Sequence, residues 1–438
     1  MRIAIIGTGI SGMVSAYLLS REHHVTVFEG NDYVGGHTNT LRVEQDGQAF
    51  EVDTGFIVYN ERNYPNFVRL LDILGVESQP TAMSFSVRCN RTGFEYGTAS
   101  PRAWFAQRAN LIRPRFYRML RDILRFNREA PRLLSHGVED IALGTYLSAA
   151  GYSSEFIDRY IVPMGAAIWS TDPIRILEFP ASHFVRFFRN HGLLSLNDQP
   201  RWRVIRGGSA RYVEQLIAPY RGRIRLRCPV RLVRRAPSGV EITVRNSPPE
   251  IFDGVVLATH SDQALRLLAD PTPAEQEVLG AIAYQRNEAV LHTDCSLLPH
   301  SADAWSAWNY RIPCEPGPVA VTYNMNLLQG LRSRKPFCVT LNSEGAIDPA
   351  CVLRRIAYHH PVFTPHAMAA QTRHAEINGV HHTFYAGAYW GFGFHEDGVN
   401  SALAVARCFG LELGGSVVRP SDHQRRRAAG ADGGRLDS

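Results

Sequence analysis

Three glycines near the start of the chain have the spacing of a turn that binds a dinucleotide. Gly7, Gly9 and Gly12 follow an apolar run, residues 3–6, that is typical of a strand buried on both faces of a parallel sheet. In this G-x-G-x-x-G spacing the first glycine permits a tight turn and the second lets the backbone approach a pyrophosphate. The third lets a helix pack on the strand, and the amides that open this helix would face the phosphates.

One acidic residue, Glu29, ends the next apolar run, residues 25–28. It lies seventeen residues after Gly12, where a carboxylate can accept hydrogen bonds from both hydroxyls of a ribose. An acid at this position disfavours a 2′-phosphate, so the pattern argues against NADP. A glycine-rich turn without a ligand is the alternative, but the order of strand, helix, strand and acid argues against it.

The residues that follow distinguish between the dinucleotides. Two adjacent glycines, Gly35 and Gly36, allow the backbone to pass close to a flat or charged group. A hairpin follows over residues 41–52, with Asp46-Gly47 between alternating runs as a strong turn signal. A nicotinamide enzyme usually continues here with strand, helix and strand, so the hairpin favours another cofactor.

Eight segments together resemble the flavin-containing amine oxidase and phytoene desaturase superfamily. In chain order they are Gly7–Gly12, Glu29, Gly35–His37, Asp53–Gly55, Arg206–Ser209, Cys228–Val230, Tyr385–Gly387 and Gly393–Val399. The resemblance implies an α/β fold, with a Rossmann-like FAD-binding domain of the glutathione reductase type. It also implies a discontinuous α+β substrate domain like that of the amine oxidases.

The same resemblance implies a set of cofactor contacts. The residues expected to bind FAD are Gly7, Gly9, Ile10, Ser11, Gly12, Glu29, Gly30, Gly35, Gly36, His37, Thr38, Asp53, Thr54, Gly55, Phe56, Val230, Ala258, Gly387, Gly393, Phe394, His395, Glu396 and Val399. In the superfamily, the last segment places a helix N-terminus at the flavin. His395 and Glu396 are therefore expected to act mainly through their backbone, and a catalytic acid/base role for either side chain is the alternative.

Two stretches, residues 164–170 and 389–398, resemble a narrower bacterial subgroup. It is similar to the flavoprotein region fused to plant cyclopropane fatty acid synthases. This resemblance implies a lipid or fatty acyl substrate and a cyclopropane synthase or lipid methyltransferase as a partner. We expect five aromatic residues to line the substrate site: Trp169, Tyr323, Trp390, Phe392 and Phe394. For Tyr323, a structural role inside a sheet is the alternative.

Three departures from the superfamily pattern bear on the reaction. His37 stands where an arginine often follows the double glycine, and Phe394 lacks the hydroxyl of the usual aromatic cage. The chain has a single lysine, Lys335, in a turn-like setting, so the lysine that amine oxidases place near the flavin is expected to be missing. We therefore favour dehydrogenation of an acyl chain by hydride transfer to flavin N5. A flavin amine oxidase acting on a small amine and a non-catalytic FAD-bound partner are the alternatives.

The composition restricts the class of protein further. The chain has 438 residues, of which 45% are hydrophobic, enough for two or three domains. Its seven cysteines are scattered without a C-x-x-C pair, which favours a reducing, cytoplasmic setting over zinc or disulfides. A strand begins at Arg2, so no signal peptide is expected, and no apolar run approaches the ~18 residues of a membrane span. No metal site and no nucleic-acid partner are predicted.

A run of arginines is arranged at helical spacing. Leu120, Ile123 and Leu124 fall on a different face from the arginines, and Pro131 is expected to end or kink the helix. The arginines of this face are Arg118, Arg121, Arg125, Arg128 and Arg132. One interpretation is that this face contacts anionic lipid at the inner surface of a membrane, or an acidic carrier. The alternative is an ordinary solvated surface over a buried apolar stripe.

The dispersed cofactor segments predict discontinuous domains. Residues 1–75, 201–265 and 376–414 are expected to form the FAD-binding domain. The substrate domain is expected to combine a helix-rich part, residues 76–200, with an antiparallel sheet within residues 266–375. The tail, residues 415–438, is rich in arginine, glycine, alanine and serine and is expected to be disordered.

Overall fold

The computed structural model describes residues 1–135, 141–169, 172–195, 199–237, 239–245, 247–314, 320–343 and 345–414. The predicted tail therefore lies outside the described residues. The strands are β1 Arg2–Ile6, β2 His24–Phe28, β3 Thr40–Gln45, β4 Gln48–Asp53, β5 Tyr59–Asn60, β6 Ser78–Pro80, β7 Phe85–Cys89, β8 Phe94–Gly97, β9 Trp202–Ile205, β10 Ile224–Arg225, β11 Val230–Ala236, β12 Gly239–Val244, β13 Glu250–Phe252, β14 Gly254–Leu257, β15 Ala283–His292, β16 Trp308–Ile312, β17 Ala320–Asn324, β18 Cys338–Leu341, β19 Val352–Val362 and β20 Thr383–Tyr385.

Helices of three kinds connect these strands. The α-helices are α1 Ile10–Leu19, α2 Pro65–Leu74, α3 Pro101–Trp104, α4 Pro114–Glu129, α5 Leu143–Ala149, α6 Ser154–Phe156, α7 Val162–Trp169, α8 Pro173–Glu178, α9 Ala181–Asn190, α10 Ala210–Ile217, α11 Ser261–Leu267, α12 Pro273–Gly280, α13 Met325–Gln329, α14 Pro365–Gln371, α15 His374–Ile377 and α16 His395–Cys408. The 3₁₀ helices are Arg108–Ile112, Ala130–Leu134, Ala218–Arg223, Cys295–Leu297, Ala302–Ala304, Pro349–Cys351 and Ala388–Trp390, and Ile157–Ile161 is a π-helical turn.

The chain divides into two compact units. The first unit comprises residues 1–34, 216–272 and the described residues from His374 onward, and the second comprises residues 35–215 and 273–373. The first boundary therefore falls after residue 34, whereas the sequence suggested residue 75. The physical reason is the hairpin β3–β4, whose Val52 lies in one apolar core with Leu291 and Phe337.

A five-stranded parallel sheet forms the centre of the first unit. Its order is β10-β2-β1-β14-β20, with Ile3 of β1 opposite Val25 on one side and Gly254 on the other. The apolar runs of β1, β2 and β14 are buried, as expected for strands covered on both faces. The Rossmann-like α/β fold predicted from the sequence is confirmed.

A seven-stranded mixed sheet forms the frame of the second unit. Its order is β19-β15-β18-β17-β16-β7-β8, and its pairs are antiparallel except for β16 with β7. The strands β6, β7 and β8 lie within residues 76–200, the part of the chain that was expected to be rich in helices and that also holds α3 to α9. Phe85, Val87 and Cys89 alternate with polar residues, a period of two that is typical of a strand and not of a helix.

The arginine-rich helix, α4, follows the sequence prediction with one exception. It ends at Glu129 and gives way to a 3₁₀ turn that contains Pro131, as expected. Ile123 is buried on the core face, but Leu124 is 55% exposed and belongs to the outer surface. No helix in the described ranges is long and apolar enough to cross a membrane.

Asp53 is a fully buried carboxylate that ties three segments of the second unit together. Its Oδ1 accepts hydrogen bonds from Thr40 Oγ1 and from the amide and hydroxyl of Ser209, and its Oδ2 accepts one from Gln329 Nε2. Burial raises the pKa of Asp53 to about 6, although these bonds favour the ionised form. The folded state therefore binds a proton at Asp53 more tightly than the unfolded chain does.

This raised pKa predicts a pH-dependent stability. The contribution of Asp53 to the free energy of unfolding is fully present below about pH 4 and is lost as the pH rises through about 6. The amide of an asparagine carries no charge, so the variant Asp53→Asn should not lose stability in this way. From pH 4 to pH 7, its free energy of unfolding should therefore rise by about 3 kcal/mol relative to that of the wild type. Urea unfolding of both proteins at the two pH values measures this difference. The exposed Asp72→Asn is the control, and a difference independent of pH for Asp53→Asn would contradict the assignment.

Candidate functional site

The turn between β1 and α1 is shaped by its three glycines. Gly7 has a φ of +104°, and a Cβ there would lie 2.6 Å from the carbonyl oxygen of Ala258. A Cβ on Gly12 would lie 2.1 Å from the oxygen of Gly7, whereas one on Gly9 would meet no described atom within 4 Å. Gly7 and Gly12 are thus required by packing, while the space above Gly9 is open to a ligand.

Glu29 is held in place by hydrogen bonds at the end of β2. Its Oε2 accepts from both the amide and the hydroxyl of Thr8, and its Oε1 accepts from the amide of Asn31, 2.8 Å away. A carboxylate oxygen accepts about two such bonds, so Oε1 is the atom with capacity left for a ribose hydroxyl. Thr8 fixes the carboxylate and was missed in the sequence, where it is an unspecified position between two glycines.

The first turns of α1 and α16 are in direct contact. A Cβ on Gly398 would lie 2.6 Å from Cγ2 of Ile10 and 3.1 Å from Oγ of Ser11. The absence of a side chain on Gly398 therefore lets two helix N-termini meet. Each N-terminus carries a partial positive charge, so together they favour a negatively charged group.

The loop that precedes α16 is fixed by Asp397. Its Oδ2 accepts hydrogen bonds from the amides of Phe392 and Phe394, 3.0 and 2.9 Å away. Burial raises the pKa of Asp397 to about 6. A Cβ on Gly391 would collide with this carboxylate at 2.2 Å. These bonds fix the backbone of the loop at Phe392 and Phe394, whose side chains are half-buried.

His395 and Glu396, the predicted catalytic candidates, are both buried in the first turn of α16. Burial lowers the pKa of His395 to about 3, so its imidazole is neutral at physiological pH and is a weak base. A side-chain role in catalysis stays a prediction for both residues. The backbone role is compatible with their position at the helix N-terminus.

Trp390 has a polar atom that is available to a ligand. Its indole Nε1 is buried and has no hydrogen-bond partner among the described residues. Its ring lies 4.2 Å from the ring of His374, which bonds to the carbonyl of Tyr385, and 4.9 Å from that of Tyr389. A buried donor without a partner costs free energy unless a bound molecule accepts its hydrogen bond.

Four other predicted cofactor residues belong to the first unit. Gly30 follows β2, Val230 begins β11, and Ala258 follows β14 beside the glycine turn. Val399 is buried in α16.

The amide of Gly387, a further predicted residue of this unit, donates to Oγ of Ser401 at 2.9 Å. This bond leaves less capacity for a cofactor at that amide.

The double-glycine loop lies in the second unit and is tightly constrained. Gly35 and Gly36 have φ values of +129° and +60°, and a Cβ on Gly35 would lie 2.3 Å from the oxygen of Thr38. A Cβ on Gly55 would lie 2.1 Å from the oxygen of His37, which accepts a hydrogen bond from the amide of Phe56. The predicted segments 35–38 and 53–56 are thus brought together as one structure.

Several predicted side chains of this loop make contacts within the second unit. The ring of His37 stacks on that of Tyr358, 4.6 Å away, and the hydroxyl of Thr54 bonds to the carbonyl of Asn39. The carboxylate of Asp53 is directed at Thr40, Ser209 and Gln329. The side chain of Asp53 therefore has a structural role, and its backbone amide donates to Oε1 of Gln329 at 3.0 Å.

Two predicted substrate-lining residues also lie in the second unit. Trp169 is buried among rings of the α7–α9 region, 4.8 Å from Phe187 and 5.2 Å from Phe179. Tyr323 packs edge-on against Trp308 at 5.0 Å. These contacts explain Trp169 as a core residue, and its role towards a substrate stays a prediction. Ser170, the last residue of its motif, lies outside the described residues.

The first unit has the features of a flavin dinucleotide site. Its parallel sheet carries a glycine turn with open space at Gly9, a fixed carboxylate at Glu29 and a second helix N-terminus at α16. These residues would hold a pyrophosphate, a ribose and the electron-accepting ring system respectively. They define an FAD-dependent oxidoreductase of the Rossmann type.

Comparison with known sequences identifies the family. Residues 10–295 match the family described as flavin containing amine oxidoreductase. The chain belongs to this family, and its cofactor is FAD. A 4,4′-diapophytoene desaturase (4,4′-diaponeurosporene-forming) of Staphylococcus aureus is 35% identical over 81 residues. That match covers 16% of this chain and 16% of the desaturase, so it extends over a small part of either protein.

Solved structures share the fold over almost the whole chain. Cyclohexylamine oxidase from Brevibacterium oxydans IH-35A superposes with a TM-score of 0.64 and 16% identity, covering 93% of this chain and 99% of that one. A CLA-producing fatty acid isomerase from P. acnes gives 0.65 and 16%, with coverages of 93% and 98%. At this level of identity the similarity concerns the fold alone.

The glycine geometry predicts two opposite mutational effects. Gly9→Ala should leave the stability of the cofactor-free protein unchanged but lower the affinity for FAD at least tenfold, because its methyl group occupies the open space. Gly12→Ala should lower the stability itself by about 1–3 kcal/mol, because its methyl group meets backbone. Thermal unfolding of the cofactor-free proteins and flavin titration measure both effects. Normal FAD affinity in Gly9→Ala would contradict the location of the pyrophosphate.

Proposed function

We propose that the protein dehydrogenates a fatty acyl or related lipid chain and leaves a new double bond. The observation that carries this proposal is the location of Lys335, the only lysine of the chain. It is exposed on a surface turn, where its backbone amide bonds to Gln45 at 3.0 Å. The lysine by which amine oxidases commonly act near the flavin therefore has no equivalent in this sequence.

The aromatic residues around Trp390 support an apolar substrate. Tyr389, Trp390, Phe392 and Phe394 fall within six consecutive residues of the first unit, and aromatic rings of this kind suit a hydrocarbon chain. The fold itself does not choose between reactions, since it occurs both in cyclohexylamine oxidase and in a fatty acid isomerase. The choice therefore rests on the residues.

When bound, oxidised FAD supplies a hydride acceptor at N5. The role of the protein is to orient an acyl C–H bond, to exclude water and to receive a proton from the adjacent carbon. An allylic position is favoured because it spreads the positive charge that hydride loss leaves on the substrate, and ring faces can stabilise that charge. The adjacent proton is then strongly acidic, so a weak base such as the neutral imidazole of His395 or a water molecule suffices.

The proposed substrate is an acyl chain that a cyclopropane synthase or lipid methyltransferase has modified. The support is the resemblance of residues 164–170 and 389–398 to the flavoprotein region of plant cyclopropane fatty acid synthases. A branch or ring made by such a partner weakens neighbouring C–H bonds and could direct where dehydrogenation occurs. Lipid at the inner face of the membrane is the corresponding source of substrate.

Anaerobic reduction of the flavin tests the reaction class. Unsaturated or methylated acyl lipids should bleach the yellow FAD-loaded protein, whereas putrescine and cyclohexylamine should not. Spectrophotometry under anaerobic conditions follows the bleaching. Bleaching by amines alone would establish amine oxidation instead. Bleaching by neither class, with an intact flavin spectrum, would contradict dehydrogenation, and recovery of the lipid unchanged would then indicate a non-catalytic partner.

The buried imidazole of His395 makes a separate prediction. Because burial lowers its pKa to about 3, the rate of flavin reduction should show no inflection from this group between about pH 5 and 8. His395→Gln, which keeps the backbone amide, should reduce flavin within about threefold of the wild-type rate if the role is structural. A loss of desaturated product above about a hundredfold, with flavin reduction retained and with partial recovery by added imidazole, would assign the proton transfer to this side chain.

A further inference from the structure

One corner of the second unit combines a cavity lined by arginines with exposed apolar side chains. A cavity of about 600 Å³ lies where the 3₁₀ helix Arg108–Ile112 meets the N-terminus of α4. Four arginines line it, with no acidic side chain among the described lining residues: Arg113, Arg115, Arg118 and Arg159. The N-terminus of α4, a helix of sixteen residues, also lies here. Guanidinium groups and a helix N-terminus together form a site for an anion such as a phosphate.

The charge of this cavity is only partly neutralised by neighbouring groups. Arg113 donates to the amide oxygens of Gln107 and Asn110, which carry no net charge, and Arg159 lies over the ring of Phe94 at 4.4 Å. Arg115 pairs with Glu155 at 3.4 Å. The exposed Asp158 is adjacent to Arg159 in the chain.

The wider segment is strongly basic. Between residues 102 and 132 there are nine arginines, two acids and no lysine, which gives a net charge of +7. Of the two acids, Asp122 is buried and bonded to Ser153, and Glu129 pairs with Arg125 at 2.9 Å. Arg121 and Arg128 are 75% and 76% exposed. The outer surface therefore presents a positive field to a partner.

Apolar side chains protrude beside these arginines. Ile112, which lines the cavity, is 84% exposed, and its chain neighbour Leu111 is 52% exposed. On α4, Tyr117 is 46% exposed and Leu124 is 55% exposed, two helical turns apart on the outer face. The hydroxyl of Tyr117 donates to the carbonyl of Leu111, 2.9 Å away, and so joins the two groups. Exposed apolar side chains interleaved with arginines are typical of helices that lie at a membrane interface.

We propose that this corner docks on an anionic membrane. A lipid phosphate occupies the arginine-lined cavity, and Leu111, Ile112, Tyr117 and Leu124 enter the boundary between headgroups and acyl chains. Charge complementarity selects the anionic lipid, and the protruding apolar side chains select a bilayer over a soluble acidic protein. The docking is independent of the reaction under Proposed function, since it requires no turnover.

Vesicle co-sedimentation of the FAD-loaded protein tests the proposal. The protein should bind vesicles of phosphatidylcholine with phosphatidylglycerol, should bind pure phosphatidylcholine at least tenfold more weakly, and should dissociate as salt is raised. The double variant Arg115→Gln with Arg118→Gln should weaken binding by more than tenfold, about fivefold for each arginine. Ile112→Ser should weaken it about tenfold through lost apolar burial.

Matched control variants on other surfaces distinguish binding at this site from a general effect of net charge or surface hydrophobicity. Arg245→Gln with Arg354→Gln removes the same charge, and Ile251→Ser removes an isoleucine that is 59% exposed elsewhere. Flavin content and circular dichroism show that every variant is folded. Equal losses in the control variants, equal binding to neutral vesicles, or binding to soluble polyglutamate without binding to vesicles would each overturn the proposal. Inorganic phosphate alone should compete only weakly, because it replaces the headgroup contact but not the apolar one.

Discussion

The contact between the first turns of α1 and α16 is the constraint on which the cofactor site of the first unit depends. It exists because Gly398 has no side chain to separate the helix from Ile10. The contact brings the positive ends of two helices together, and they repel each other unless an anion lies between or beside them. Glu396 and Asp397 offset part of this charge from within α16. Binding of an anionic cofactor and stability of this unit are therefore expected to be coupled.

Local signals in the sequence predicted local structure well. The turn at Asp46-Gly47 has positive φ at both residues, as an Asp-Gly hairpin requires. The strand–turn–helix at the glycine motif and the end of α4 before Pro131 follow from backbone chemistry that neighbouring residues determine. Such features could be read from the sequence because few distant contacts can alter them.

Features that depend on distant residues could not be predicted in the same way. Helical spacing separated the faces of α4 but could not show that Leu124 lies outside the core, because burial depends on which segment covers a face. The hydrogen bonds of Asp53 with Ser209 and Gln329 join positions that are more than 150 residues apart in the chain, and no local sequence pattern predicts them. The strand at residues 85–89 could have been predicted from its alternating apolar and polar residues. It was missed because the surrounding segment is rich in helices.

The reaction itself is tested most directly by the mass balance of a single turnover. FAD-loaded protein would be mixed anaerobically with an unsaturated acyl lipid, and both the reduced flavin and the lipid mass would be determined. Dehydrogenation predicts a product that lacks two hydrogen atoms, formed in an amount equal to the reduced flavin. A product of unchanged mass with the flavin still oxidised would contradict this account, since it would identify an isomerisation in place of a net oxidation.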